Sequence, residues 1–141
     1  MQVSRAAMQE LGRRFAVARP DTIVIATPHG IIAERVLTIG GTKIAAGILG
    51  DPNNRHVKAV FENDLELSAI IEAEWEEQGV PFVRLVGEEK QQEAVLPLDW
   101  GAFVPLWFTA HPMNPRPQVV VIAPDPSLSR EKLVRAGVGI A

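Results

Sequence analysis

The sequence predicts an α/β fold, a central largely parallel or mixed sheet flanked by helices, and three observations carry that reading. Two short apolar runs without polar alternation, residues 22–27 (TIVIAT) and 118–123, have the pattern of strands covered on both faces. Apolar residues at helical spacing precede the first run and recur between the later ones. Clusters of Pro, Gly, Asn and Asp punctuate the chain between these segments. A length of 141 residues corresponds to one domain.

The opening helix starts from Ser4 as N-cap, and Ala7, Leu11, Phe15 and Ala18 form its apolar stripe. Pro20 and Asp21 end it before the strand at 22–27, which closes in the turn Pro28-His29-Gly30. Residues 36–39 start a second strand that Gly40 and Gly41 break, while the apolar, glycine-interrupted stretch 44–49 fits neither pattern decisively. A turn cluster, DPNNR at 51–55, leads into a short strand at 57–61. Asn63 is expected to cap the next helix, with Glu66 in the capping-box position, Leu67, Ile70, Ile71 and Trp75 on its buried face and Gly79 as its C′ residue. Residues 81–86 read as a strand and 87–93 as an exposed charged loop. The stretch 95–108 holds four of the eight aromatic residues, and Pro97 and Pro105 exclude a long regular strand there. A proline-rich connection at 111–117 precedes the strand at 118–123. The last helix takes Ser129 as cap, with Leu128 and Leu133 as hydrophobic staple, and runs uncapped to Ala141.

Composition narrows the chemistry. Fourteen basic against seventeen acidic side chains leave a net charge of -3, so there is no field to attract a phosphate backbone, and nucleic acid is not an expected partner. No apolar run approaches the ~20 residues of a membrane helix, and the first fifteen residues mix charges among the apolar ones, so neither a membrane partner nor a secretory leader is expected and the cytoplasm is the expected location. With no cysteine, disulfides, thiolate metal sites and cysteine nucleophiles are excluded. A metal would need nitrogen and oxygen ligands, and the chain has three histidines, His29, His56 and His111.

Three places hold candidate chemistry. His29 stands in the turn beyond a strand's carboxyl end, where α/β sheets gather ligands, and Gly30 leaves room beside it; a neutral imidazole there suits iron, zinc, copper or nickel, or is satisfied by the backbone. Asp99, Trp100 and Phe103 are candidates to line a pocket for a flat substrate, against the plainer reading of a turn followed by core aromatics. Glu62, Asn63, Asp64 and Glu66 are able to bind a hard cation or simply to match the dipole of a helix start. His56, beside Arg55 and Lys58, reads as exposed. P-loop, dinucleotide-binding and nucleophile-elbow motifs are all absent from the sequence.

DTIVIATPHG (21–30), FENDLEL (61–67) and above all LPLDWGAFVPLWF (96–108) resemble the class III extradiol ring-cleavage dioxygenases. More closely, they resemble the catalytic B-type subunit related to the β subunit of protocatechuate 4,5-dioxygenase and to Memo-like proteins. It implies a central sheet flanked by helices and a non-haem Fe(II), held by two histidines and a carboxylate, that binds a catechol-type aromatic together with dioxygen. His29 matches the second ligand histidine. The first lies on an opening strand, whereas this chain starts at the following helix. Where the family has Asp-His-Gly, this chain has Asp99-Trp100-Gly101. The family's acid-base histidine and ligand carboxylate lie in a later half of the domain, so the chain matches the N-terminal half of a larger α/β domain and is expected to be inactive in isolation. The alternative is a non-catalytic binding or interaction domain that keeps the fold. Half of such a fold leaves sheet edges and apolar faces uncovered, and self-association through residues 100–108 and the last helix is expected.

Overall fold

A computed structural model describes residues 2–50, 56–87 and 94–141. The elements run α1 (Gln2–Ala18), β1 (Thr22–Ala26), β2 (Leu37–Gly40), β3 (Ile44–Gly50), β4 (His56–Glu62), α2 (Leu65–Glu77), β5 (Phe82–Leu85), β6 (Val95–Pro97), α3 (Trp100–Thr109), β7 (Gln118–Pro124) and α4 (Arg130–Val138). The turn cluster at 51–55 and most of the charged loop expected at 87–93 lie outside the described residues.

A four-stranded mixed sheet has the order β1-β7-β2-β5, with β7 parallel to β1 and antiparallel to β2, and β2 parallel to β5. A three-stranded sheet, β4-β3-β6, is built on the β3–β4 hairpin. Asn63 joins the two sheets: its N–H donates to Lys43, the N–H of Asp64 donates to Val119, and Asn63 bridges Val119.

β7 shows why an unalternating apolar strand folds at the centre of the sheet. Val119 and Val121 enter a core shared with Phe61, Leu96, Phe103 and Leu106, while Val120 and Ile122 enter a second core with Ile39, Ile71 and Trp75. Each face is thus roofed, one by the small sheet and α3, the other by α2 and α4. β1 meets the same two cores through Ile23 and Val24, but as the edge strand among the described residues it buries only Ile23 fully, short of the two-sided cover its sequence suggests.

The helix expectations need five corrections. α1 begins by Gln2, which places Ser4 inside the helix, and its half-buried residues include Met8, Gly12 and Phe15 whereas Ala7, Leu11 and Ala18 are exposed. The reason is a close helix crossing: a Cβ on Gly12 would lie 2.2 Å from the carbonyl oxygen of Phe108, a contact that hydropathy does not register. The N-cap of α2 is Asp64, which accepts from the N–H of Leu67, because Asn63 is committed to the sheet junction and donates its amide to Thr42. On α2 Ile71 and Trp75 are buried, but Ile70 is 55% exposed. α4, capped by Ser129 as expected, stops at Val138 with Gly139 as C-cap, so the chain does not end inside a helix. Trp75 ties α2 to α4 by donating its indole N–H to Ala136 at 3.0 Å.

Candidate functional site

β1 and β7 run parallel, and their carboxyl ends stand where β6 hands the chain to α3. The site is assembled there from two segments far apart in sequence. Thr27 continues β1, its N–H bonded to Ile122 of β7, and the chain then turns through Pro28, His29 and Gly30. Gly30 is tucked against β7, since a Cβ there would come within 2.9 Å of the Ala123 side chain. From the other side Asp99 caps α3, accepting from the N–H groups of Gly101 (2.6 Å) and Ala102 (3.3 Å), as suits a carboxylate at a helix N-terminus.

One hydroxyl connects the segments. The Oγ1 of Thr27, a fully buried residue, lies 2.8 and 3.0 Å from the two oxygens of Asp99, to which it donates, and accepts the His29 N–H at 3.3 Å. The His29 ring stacks on Trp100 with centroids 4.5 Å apart and planes 29° from parallel. Both are exposed, Trp100 at 59%. The structure therefore brings together four of the residues singled out in the sequence, His29, Gly30, Asp99 and Trp100. It sets the fifth apart: Phe103 is 1% exposed, in the core against β3, where a Cβ on Gly47 would meet its ring at 2.4 Å. The crevice beside Gly30 and Asp99, walled by Thr38 and Val121, has room for about one water molecule. A wider cleft of about 550 Å³ lies near the other end of β1, between Arg19, Pro20, Pro112 and Met113.

The remaining sequence candidates stand elsewhere. His56 is exposed at the start of β4. Of the acidic cluster, Asp64 accepts from the Thr22 hydroxyl at 2.6 Å in addition to capping α2, Glu66 lies in the first turn of that helix and Glu62 ends β4. His111 stacks on Trp107 at 4.2 Å, which in turn stacks on Phe103, and burial followed by the charge of Arg116 pushes its pKa below the ordinary value.

The family model of the catalytic LigB subunit of aromatic ring-opening dioxygenase matches residues 2–141. The chain belongs to this family. No curated protein matches it. Against the iron that the LigB family implies, the donor set is incomplete: no group of three or more His, Cys, Asp or Glu side chains able to hold a metal occurs among the described residues. His29 stands as one imidazole stacked on an indole, and Asp99, the nearest acid in this arrangement, already accepts from Thr27, Gly101 and Ala102. The described residues do not fit a ferrous ion by themselves. Thr27, the residue that links the halves of the site, was missed in the sequence because a threonine closing a β-branched strand looks like any other strand residue.

Proposed function

We propose that this LigB-family chain forms the strand-end, aromatic-binding part of an extradiol-type ring-opening dioxygenase of the B-type subunit class, corresponding to the N-terminal half of such a domain, and that it does not open catechol rings on its own. The observation that carries this reading is the pairing of His29 with Asp99-Trp100-Gly101 at the carboxyl end of a parallel strand pair, with no further ligand beside it among the described residues. A mononuclear Fe(II) would take His29 as one ligand and need the others from outside the described residues. One imidazole replaces too little of an ion's water shell to hold it, and surrounding groups tune a complete site but do not create one. The substrate class is a catechol-type aromatic, and the proposed setting is a cytoplasmic homo-oligomer. No helix among the described residues is long and apolar enough to cross a membrane.

The test is anaerobic reconstitution of the 141-residue chain with Fe(II), metal quantification, and a ring-opening assay on protocatechuate and simple catechols beside His29→Ala. Sub-stoichiometric iron and no ring-opened product are expected; stoichiometric iron with turnover would overturn the reading. Metal binding that survives His29→Ala would remove His29 as the ligand. Trp100 favours a second reading, a non-catalytic binding domain, because an indole can neither ligate a metal nor shuttle a proton and here covers one face of the imidazole. Saturable binding of catechols without iron, unchanged by an added partner chain that supplies ligands, would select it.

A further inference from the structure

We infer that Thr27 is the positioning residue of this site: its hydroxyl sets the spacing between the His29 turn and α3, and so holds the imidazole against Trp100. The inference holds whichever ligand the site takes. His29 belongs to the turn after β1 and Trp100 to the first turn of α3, and these segments are separated by some seventy residues of sequence. The described hydrogen bonds that join them run through one atom, Thr27 Oγ1, which donates to Asp99 and accepts from the His29 N–H. Asp99 transmits the constraint, because the same carboxylate oxygen that receives the hydroxyl also receives the N–H of Gly101.

The other branch of the threonine is used as well. A Cβ on Gly30 would lie 3.1 Å from Thr27 Cγ2, so the methyl packs beneath the His29 turn while the hydroxyl faces α3. A β-branched side chain is stiff at χ1, and one rotamer therefore places both groups at once. Gly101 completes the arrangement: a Cβ there would sit 2.8 Å from Thr27 Oγ1, 2.8 Å from Asp99 Oδ1 and 3.4 Å from His29 Cδ2, so the absence of a side chain lets turn and helix close on the hydroxyl. With Thr27 fully buried and its backbone N–H bonded to β7, the hydroxyl is fixed to the sheet. The sheet thereby dictates where the imidazole meets the indole.

The experiment is a nuclear Overhauser measurement of the contact between the His29 and Trp100 rings in the wild-type chain, Thr27→Val and Thr27→Ser. Valine keeps the shape and removes the hydroxyl; serine keeps the hydroxyl and removes the methyl. The ring contact is expected in the wild type and in Thr27→Ser and is expected to be lost in Thr27→Val, with the amide spectra of β7 and α2 unmoved. A contact that persists in Thr27→Val, or that disappears equally in both variants, would overturn the inference. Should Thr27→Val fail to fold, the wild-type hydroxyl proton decides: it is expected to exchange slowly and to show Overhauser contacts with the Gly101 and His29 amides. A hydroxyl in fast exchange with water, without those contacts, would overturn it.

Discussion

Asp99 has two partners at once, the N-terminal N–H groups of α3 and the buried Thr27 hydroxyl. Replacing it by alanine removes a helix cap, worth about 1–2 kcal/mol, and strands a buried donor besides. Asp99→Ala is therefore expected to lower the urea midpoint clearly, and Asp99→Asn much less, since an amide oxygen still accepts; equal losses would contradict the capping role. His111 supplies a pH dependence of definite sign. The folded state holds its pKa below the ordinary 6.5, through burial first and Arg116 second, so below that value the unfolded chain binds more protons than the folded one. Stability is expected to fall as pH drops below about 6.5 and to level off above it, and His111→Phe, which keeps a ring for Trp107, is expected to flatten that slope in thermal melts. A wild-type slope of the opposite sign would refute this. At this scale His29 was legible in the sequence because a histidine in a strand-end turn is conspicuous, whereas its partner Thr27 was not, because the role of a hydroxyl depends on what lies within 3 Å of it.

Elements differ in how much of their structure is local. α4 was readable from Ser129 and Leu128, since a cap acts within one turn, and its real end required only a glycine. That helix offers a direct test: a Cβ on Gly137 meets nothing within 4 Å, so Gly137→Ala is expected to stabilise the chain by roughly 0.5–1 kcal/mol, and a lower denaturation midpoint would show that the helix depends on something else there. The aromatic stretch 95–108 was legible only as not a long strand. It divides into β6 and α3 with Pro105 inside the helix, and Phe103 goes inward because Gly47 of β3 makes a recess for it. α1 was recognisable as a helix, but the choice of its packed face was made by the close approach of Gly12 to Phe108, a fact of the partner's backbone. The N-cap of α2 shifted by one residue for the same kind of reason, Asn63 being taken by the sheet junction.

In the whole molecule the inner face of the three-stranded sheet is core, whereas its outer face carries Ile48, Val60 and Val95, exposed by 53, 50 and 48%. α4 adds Val134 and Val138 at 57 and 63%. Apolar surface of this kind on two sides supports the proposed self-association, with the last helix available as expected from the sequence, whereas of the 100–108 segment Phe103 and Leu106 are buried inside the chain itself and Trp100 is exposed. Light scattering is expected to give a mass above 15.4 kDa at micromolar concentration, and Val60→Lys with Ile48→Lys to bring it down; a stable wild-type monomer across that range would remove the oligomer. By itself the sequence determined the α/β class, because a strand covered on both faces must be apolar throughout and a helix must show its period, and both are patterns of neighbouring residues. It also placed His29 at a strand end and marked Asp99-Trp100-Gly101. Only the tertiary structure decided that the strands divide into two sheets joined at Asn63, that Phe103 belongs to the core, and that Thr27 and Asp99 bring His29 onto Trp100. Those outcomes depend on contacts between residues far apart in the chain, and no local pattern encodes which distant atom will fill the space beside a given side chain.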